Sequence, residues 1–220
     1  MTRLKSGVFA VVALAAGAFA LGGFSTTSST PFISAAHAQE VEVDTSTIVE
    51  MVQGAEDAPV TLIEYASYTC PHCARFHADG YKKLKAEFID TGKVKFVYRE
   101  VYFDRYGLWA SMIARCGGTE KFFGITDLLF TDQSHWARAG DPAAIAEELR
   151  KIGKLAGLEN TQLDACLQDG TKAQTLVAWY QENATADNVQ ATPSFVLNGT
   201  KVDNQPYADM KALIEAELGS

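Results

Sequence analysis

Apolar positions along the chain fall into unbroken runs near its two ends and into helical spacing between them. The run Val60-Thr61-Leu62-Ile63-Glu64-Tyr65-Ala66 reads as a buried strand. It is followed by Cys73, Phe76, His77, Gly80, Tyr81, Leu84 and Phe88. That spacing predicts a helix from Pro71 to about Ile89, closed by Thr91-Gly92. The β-branched and aromatic run from Val94 to Val101 predicts a second strand. A β-α-β unit is then complete by residue 101, and such crossovers join parallel strands.

From Asp104 to about Asp187 the period stays helical. Trp109 to Cys116 and Lys121 to Phe130 are two helices, and Lys172 to Asn183 is another. Asp141-Pro142 starts a helix with an N-cap and a proline at its first position, carried on by Ile145, Leu149, Ile152 and Leu155 and ended by Gly157. Thr161-Gln162-Leu163-Asp164 reads as a capping box before a short helix that holds Cys166. The strand period then returns: Ser194 to Leu197 and Thr200 to Val202 flank Asn198-Gly199, a hairpin whose turn needs positive φ. Pro206 opens a last helix through Met210, Leu213, Ile214 and Leu218. Ahead of all this, Val41 to Gly54 reads as a short lead-in strand followed by a helical turn capped by Asp44 or Thr45.

The first residues change the setting. Arg3 and Lys5 precede an uncharged run from Gly7 to Phe24, then a Ser/Thr/Pro stretch from Ser25 to Ser34, then Ala36-His37-Ala38. This is the order of a signal peptide, with cleavage expected after Ala38. An uncleaved membrane anchor is the alternative, since eighteen residues just suffice to span a bilayer. The full chain carries 19 basic and 27 acidic side chains for a net charge of −8, and the leader contains only basic ones. The acidic balance argues against a nucleic-acid partner. Export places the chain in an oxidising compartment, where paired cysteines persist as disulfides.

Four cysteines follow. Cys70-Pro71-His72-Cys73 lies between the predicted strand and the predicted helix. A helix N-terminus presents unpaired N–H groups and a partial positive charge, so a thiolate at Cys70 is stabilised, and the thiolate is the reactive species. Cys70 is the candidate nucleophile and Cys73, one turn inside, its less exposed partner. Protonated His72 would add to the helix-end effect; an exposed polar residue without such a role is the alternative. Glu64 falls in a strand that should be buried, where a lone carboxylate is costly and its pKa rises. It could then exchange a proton with Cys73, unless it is an edge residue with access to solvent.

Three local features carry a family resemblance: the Cys-Pro-His-Cys motif, Glu64 six residues before Cys70, and Ala191-Thr192-Pro193 just before the hairpin. Together with the element order they resemble an α/β thioredoxin-like fold with an inserted α-helical domain, and more closely a DsbA-type periplasmic thiol oxidase. The resemblance implies a signal peptide at 1–38, a thioredoxin-like domain split between 39–103 and 188–220, and an inserted helical domain at 104–187. It implies that Pro193 is a cis-proline facing the disulfide and that Thr192 and Pro193 form the substrate loop; an ordinary trans turn is the alternative. It further implies disulfide donation to reduced exported proteins, reoxidation by a DsbB-like membrane protein, a monomeric chain and no cofactor. One departure stands out. Tyr98 occupies the strand position where some relatives carry a base near the buried acid, and Arg99 should point to the other face.

Magnitudes set the direction. Lowering the Cys70 pKa from ~8.5 to ~4 favours the dithiol over the disulfide by roughly 4 kcal/mol at pH 7, or roughly 90 mV. Low thiol pKa values are a property of the DsbA group itself, so the resemblance implies the same direction. The rival readings are a DsbC/DsbG-like isomerase or reductase and a non-enzymatic holdase or metal carrier. The first carries an N-terminal dimerisation domain, and the roughly twenty residues before the first core strand argue against it. Zinc could take Cys70, Cys73 and His77 as three ligands, but a fourth must come from far away, and no metal site is expected. Cys116 and Cys166, on separate predicted helices, are expected to form a structural bridge, with two buried free thiols as the alternative. His135 has no assigned partner.

Overall fold

The computed structural model describes residues 43–219. The leader and its cleavage site lie outside the described residues. Five strands form one mixed sheet: β1 Met51–Gln53, β2 Val60–Ala66, β3 Val94–Glu100, β4 Ser194–Leu197 and β5 Thr200–Val202, in the order β1-β3-β2-β4-β5. β2 and β3 run parallel, with Glu64 opposite Tyr98 and Tyr65 opposite Arg99. The other pairs are antiparallel. The β4–β5 turn uses Asn198 at φ 45° and Gly199 at φ 81°, the left-handed pair that the sequence demands there.

The crossover between β2 and β3 is one helical rod over 71–89, here α1. Its α-helical turns Pro71–Phe76 and Lys82–Leu84 alternate with π turns His77–Tyr81 and Lys85–Ile89. Between β3 and β4 come α2 Arg105–Cys116, α3 Gly118–Thr131, α4 Gln133–Trp136, α5 Pro142–Leu155, α6 Asn160–Gln168 and α7 Gly170–Ala186; α8 Tyr207–Leu218 follows the hairpin. Strand alternation sorts the sheet residues. Leu62, Ala66, Phe96 and Tyr98 join the large core with α1 and helices that lie between β3 and β4, whereas Tyr65, Val101 and Val196 pack with Ala184 of α7 on the other face. Arg99 belongs to that second face, where it bonds the Tyr65 hydroxyl at 2.7 Å and pairs with Glu50 and Asp187.

Asp104 and Asp141 cap α2 and α5 through their carboxylates. Two local expectations differ. The helical turn Thr45–Thr47, capped by Asp44, precedes β1 instead of following it. Met51 pairs with Tyr98, so the strand sits where it can extend the sheet. The capping box at Thr161 does not form: Glu159 is the N-cap and makes no side-chain cap bond. Buried Leu163 fits onto Gly153 so closely that a Cβ there would lie 2.4 Å from its Cδ2.

Candidate active site

The loop after β2 delivers Cys70 to the N-cap of α1, with Pro71 at the first helical position. Cys70 has extended backbone (φ −83°, ψ 118°) and makes no side-chain cap bond, so its sulfur stands at the open end of the helix. Both thiols are free; Cys70 is 8% exposed and Cys73 fully buried. The Cys70 Sγ lies 3.4 Å from the Thr192 carbonyl oxygen, and the Thr192–Pro193 peptide is cis. The β4 segment therefore brings a loop from far along the chain against the helix start.

Charge follows from this placement. A hydrogen bond from the Cys73 thiol first, then the Thr192 side chain and the backbone N–H groups of Cys73 and His72, outweigh burial and bring Cys70 down to about 5. Burial first, then the bond to Cys70 and the charge of Glu64, push Cys73 well above the ordinary thiol range. At pH 7 a midpoint of about 5 for Cys70 in place of ~8.5 favours the dithiol by about 3 kcal/mol, or ~60 mV. His72 is exposed, and its Nδ1 lies 2.5 Å from Nη2 of Arg75. The contribution of His72 visible here is its backbone N–H.

Glu64 is 1% exposed on the α1 face of β2, and its Oε1 has no hydrogen-bond partner. Burial, reinforced by the Cys70 charge, raises its pKa to about 8. A carboxyl with a raised folded-state pKa contributes stability that is complete below its unfolded value of 4.5 and lost as pH rises through 8. At pH 7 that loss amounts to about 3 kcal/mol. Glu64→Gln is therefore expected to raise Tm by up to roughly 10 °C at pH 7 and to leave it nearly unchanged at pH 4. Calorimetry at the two pH values checks this; an equal shift at both would contradict it.

The other predicted residues are placed as follows. Cys116 and Cys166 are joined, with Cα atoms 5.9 Å apart. His77 turns away from the cysteines: it stacks on Tyr81 at 4.5 Å between ring centroids, and its Nε2 meets Asp127 at 3.1 Å. Among the described residues no three of His, Cys, Asp and Glu are gathered to hold a metal ion. His135 pairs with Asp132 on the surface. Sequence reasoning missed two supports of the reactive turn. Asp104 caps α2 and also accepts the Thr69 hydroxyl at 2.8 Å. Gln133 of α4 donates to the carbonyls of Tyr68 and Cys70. Asp104 had a visible cap signal; Gln133 had none.

A family model described as thioredoxin matches residues 46–216. The chain belongs to the thioredoxin family. Within that family it is 33% identical over 170 residues to a putative protein-disulfide oxidoreductase of Rickettsia bellii, covering 77% of this chain and 64% of the relative. The chain thus spans under two thirds of that curated protein's length. It is 28% identical over 179 residues to disulfide bond formation protein D of Bacillus subtilis, covering 76% of each. The crystal structure of Wolbachia pipientis alpha-DsbA1 superposes with a TM-score of 0.70 at 25% identity, covering 77% of this chain and 91% of that one.

Proposed function

We propose that this family member is a thiol:disulfide oxidoreductase that introduces disulfides into exported proteins by exchange at Cys70 and Cys73. The observation that carries the reading is the Cys70 sulfur, held at a helix N-cap against the Thr192–Pro193 loop and favoured there as an anion. A substrate thiolate attacks Cys70 of the Cys70–Cys73 disulfide, and Cys73 leaves. Cys73 is a poor leaving group because its pKa is raised, and the neutral Glu64 carboxyl supplies the proton that helps it depart. A second substrate thiolate then attacks the substrate sulfur of the mixed disulfide, and Cys70 leaves as a stable anion. Two electrons pass from substrate to enzyme, and Glu64 regains its proton from solvent.

In this reading the Thr192–Pro193 loop pairs with the substrate backbone. A leader over 1–38 exports the chain to the periplasm, and the helical segment 104–187 is an insertion in the thioredoxin-like domain. The protein acts as a monomer, takes no cofactor and is reoxidised by a DsbB-like membrane protein. Equilibration with glutathione buffers tests the reading. The Cys70–Cys73 pair is expected to have a potential above about −200 mV and to oxidise a reduced unfolded protein stoichiometrically. A potential near that of thioredoxin, about −270 mV, would reject the oxidase assignment.

A further inference from the structure

Gln133 is buried, yet it belongs to a four-residue helix in the inserted segment, far in sequence from the cysteines. Its Nε2 lies 2.8 Å from the Tyr68 carbonyl oxygen and 2.9 Å from the Cys70 carbonyl oxygen. Two acceptors at one nitrogen fix the orientation of the amide, since only the NH2 group carries two donors. Its own position is also fixed. Trp136, three residues on, is fully buried and donates its indole N–H to the Leu129 carbonyl at 2.8 Å. The Cys70 N–H meanwhile bonds the Ser67 carbonyl, and the Cys70 carbonyl accepts the Ala74 N–H. The turn that carries the nucleophile is thus held on its inner side by a side chain from the inserted helices.

We infer that Gln133 is a positioning residue for disulfide exchange: it pins the carbonyls of Tyr68 and Cys70 and so aims the Cys70 sulfur at the first N–H groups of α1. The inference rests on the oxidoreductase reading above and deepens it. Gln133 does not touch the reacting sulfur. It acts through the tilt of the N-cap residue, which sets how closely the sulfur approaches the His72 and Cys73 N–H groups that lower its pKa. The titratable groups acting on Cys70 are Cys73 of α1 and Glu64 of β2, and neither touches Gln133 through a hydrogen bond. A second inserted-segment contact offers a control. Thr126 of α3 bonds the Tyr68 hydroxyl at 2.8 Å, which ties the same two segments together without reaching either carbonyl.

The experiment is an ultraviolet titration of the Cys70 thiolate in the reduced full chain, in the wild type, Gln133→Met and Thr126→Val. Methionine keeps the length and removes both donors. Gln133→Met is expected to raise the midpoint by about one pH unit, a tenfold loss of thiolate stabilisation. Thr126→Val is expected to lower Tm without moving the midpoint. An unchanged midpoint in Gln133→Met, or an equal rise in Thr126→Val, would overturn the inference. Should Gln133→Met not fold, the Gln133 side-chain amide resonances of the wild type provide the readout. They are expected to shift with the Cys70 titration, and resonances that stay flat through it would overturn the inference equally. A wild-type midpoint near that of free cysteine is a different failure, because it removes the oxidase reading itself.

Discussion

Cys70→Ser is expected to reduce disulfide exchange to the uncatalysed rate, and Cys73→Ser to convert the protein into a trap. The two outcomes differ because the sulfurs differ. In the proposed function Cys70, at the helix end beside the Thr192 carbonyl, is the sulfur that substrate attacks. A serine hydroxyl there cannot form the mixed disulfide at all. Cys73 is fully buried and has its thiol pKa pushed far up. Without it, Cys70 still attacks an oxidised partner such as glutathione disulfide, but no neighbouring thiol resolves the adduct. Mass spectrometry of Cys73→Ser after exposure to glutathione disulfide should therefore show one glutathione on Cys70. Activity of both variants equal to the wild type in protecting unfolded proteins, with no exchange in any of them, would instead fit a holdase.

The second large effect concerns stability. Removing the Cys116–Cys166 bridge as Cys116→Ser/Cys166→Ser is expected to destabilise the fold strongly while leaving exchange at Cys70 intact. The bridge spans 50 residues of chain. In the chain-entropy treatment that separation corresponds to about 4 kcal/mol, an upper figure. For a chain of this size the loss should lower Tm by roughly 8–16 °C. It joins α2 to α6, whose other contacts include the bond from the Gln162 side chain to the Cys116 carbonyl at 2.9 Å. The reactive turn is supported separately, by Asp104 and Gln133. A thermal melt beside an exchange assay at 25 °C checks both halves. An unchanged Tm would mean that the bridge does not constrain the unfolded chain.

What was legible in the sequence was local or periodic. The β2-α1-β3 crossover, the hairpin at Asn198-Gly199 and the Asp141 cap follow from spacing and turn chemistry, and each forms within a few residues of where it was expected. The separation of Arg99 from Glu64 followed from alternation alone, and Arg99 lies on the Tyr65 face. The capping box at Thr161 read well, but α6 starts at Asn160 with Glu159 as its N-cap, so Thr161 falls inside the helix. The meeting of Thr192 with Cys70 is a contact across 122 residues, invisible to any local rule and reached only through family resemblance. Gln133 shows the limit most clearly. A glutamine between two helices carries no signal until the fold brings two backbone carbonyls to its amide.

The unpartnered Glu64 Oε1 and the unpartnered Tyr98 hydroxyl lie on paired strands on the face that packs against α1. Among the described residues, burial and the Cys70 charge are what act on this acid, and Arg99 is committed to Glu50 and Asp187. Burial thus raises its pKa to about 8, and the proposed function uses it as a neutral proton donor at pH 7.

All of this chemistry depends on the ionisation of a single sulfur. The most direct measurement is the pH dependence of thiolate absorbance in the reduced protein, with Cys70→Ser as the blank. The account predicts a midpoint near 5 that vanishes in the blank. A midpoint of about 8.5, that of a cysteine in water, would contradict it.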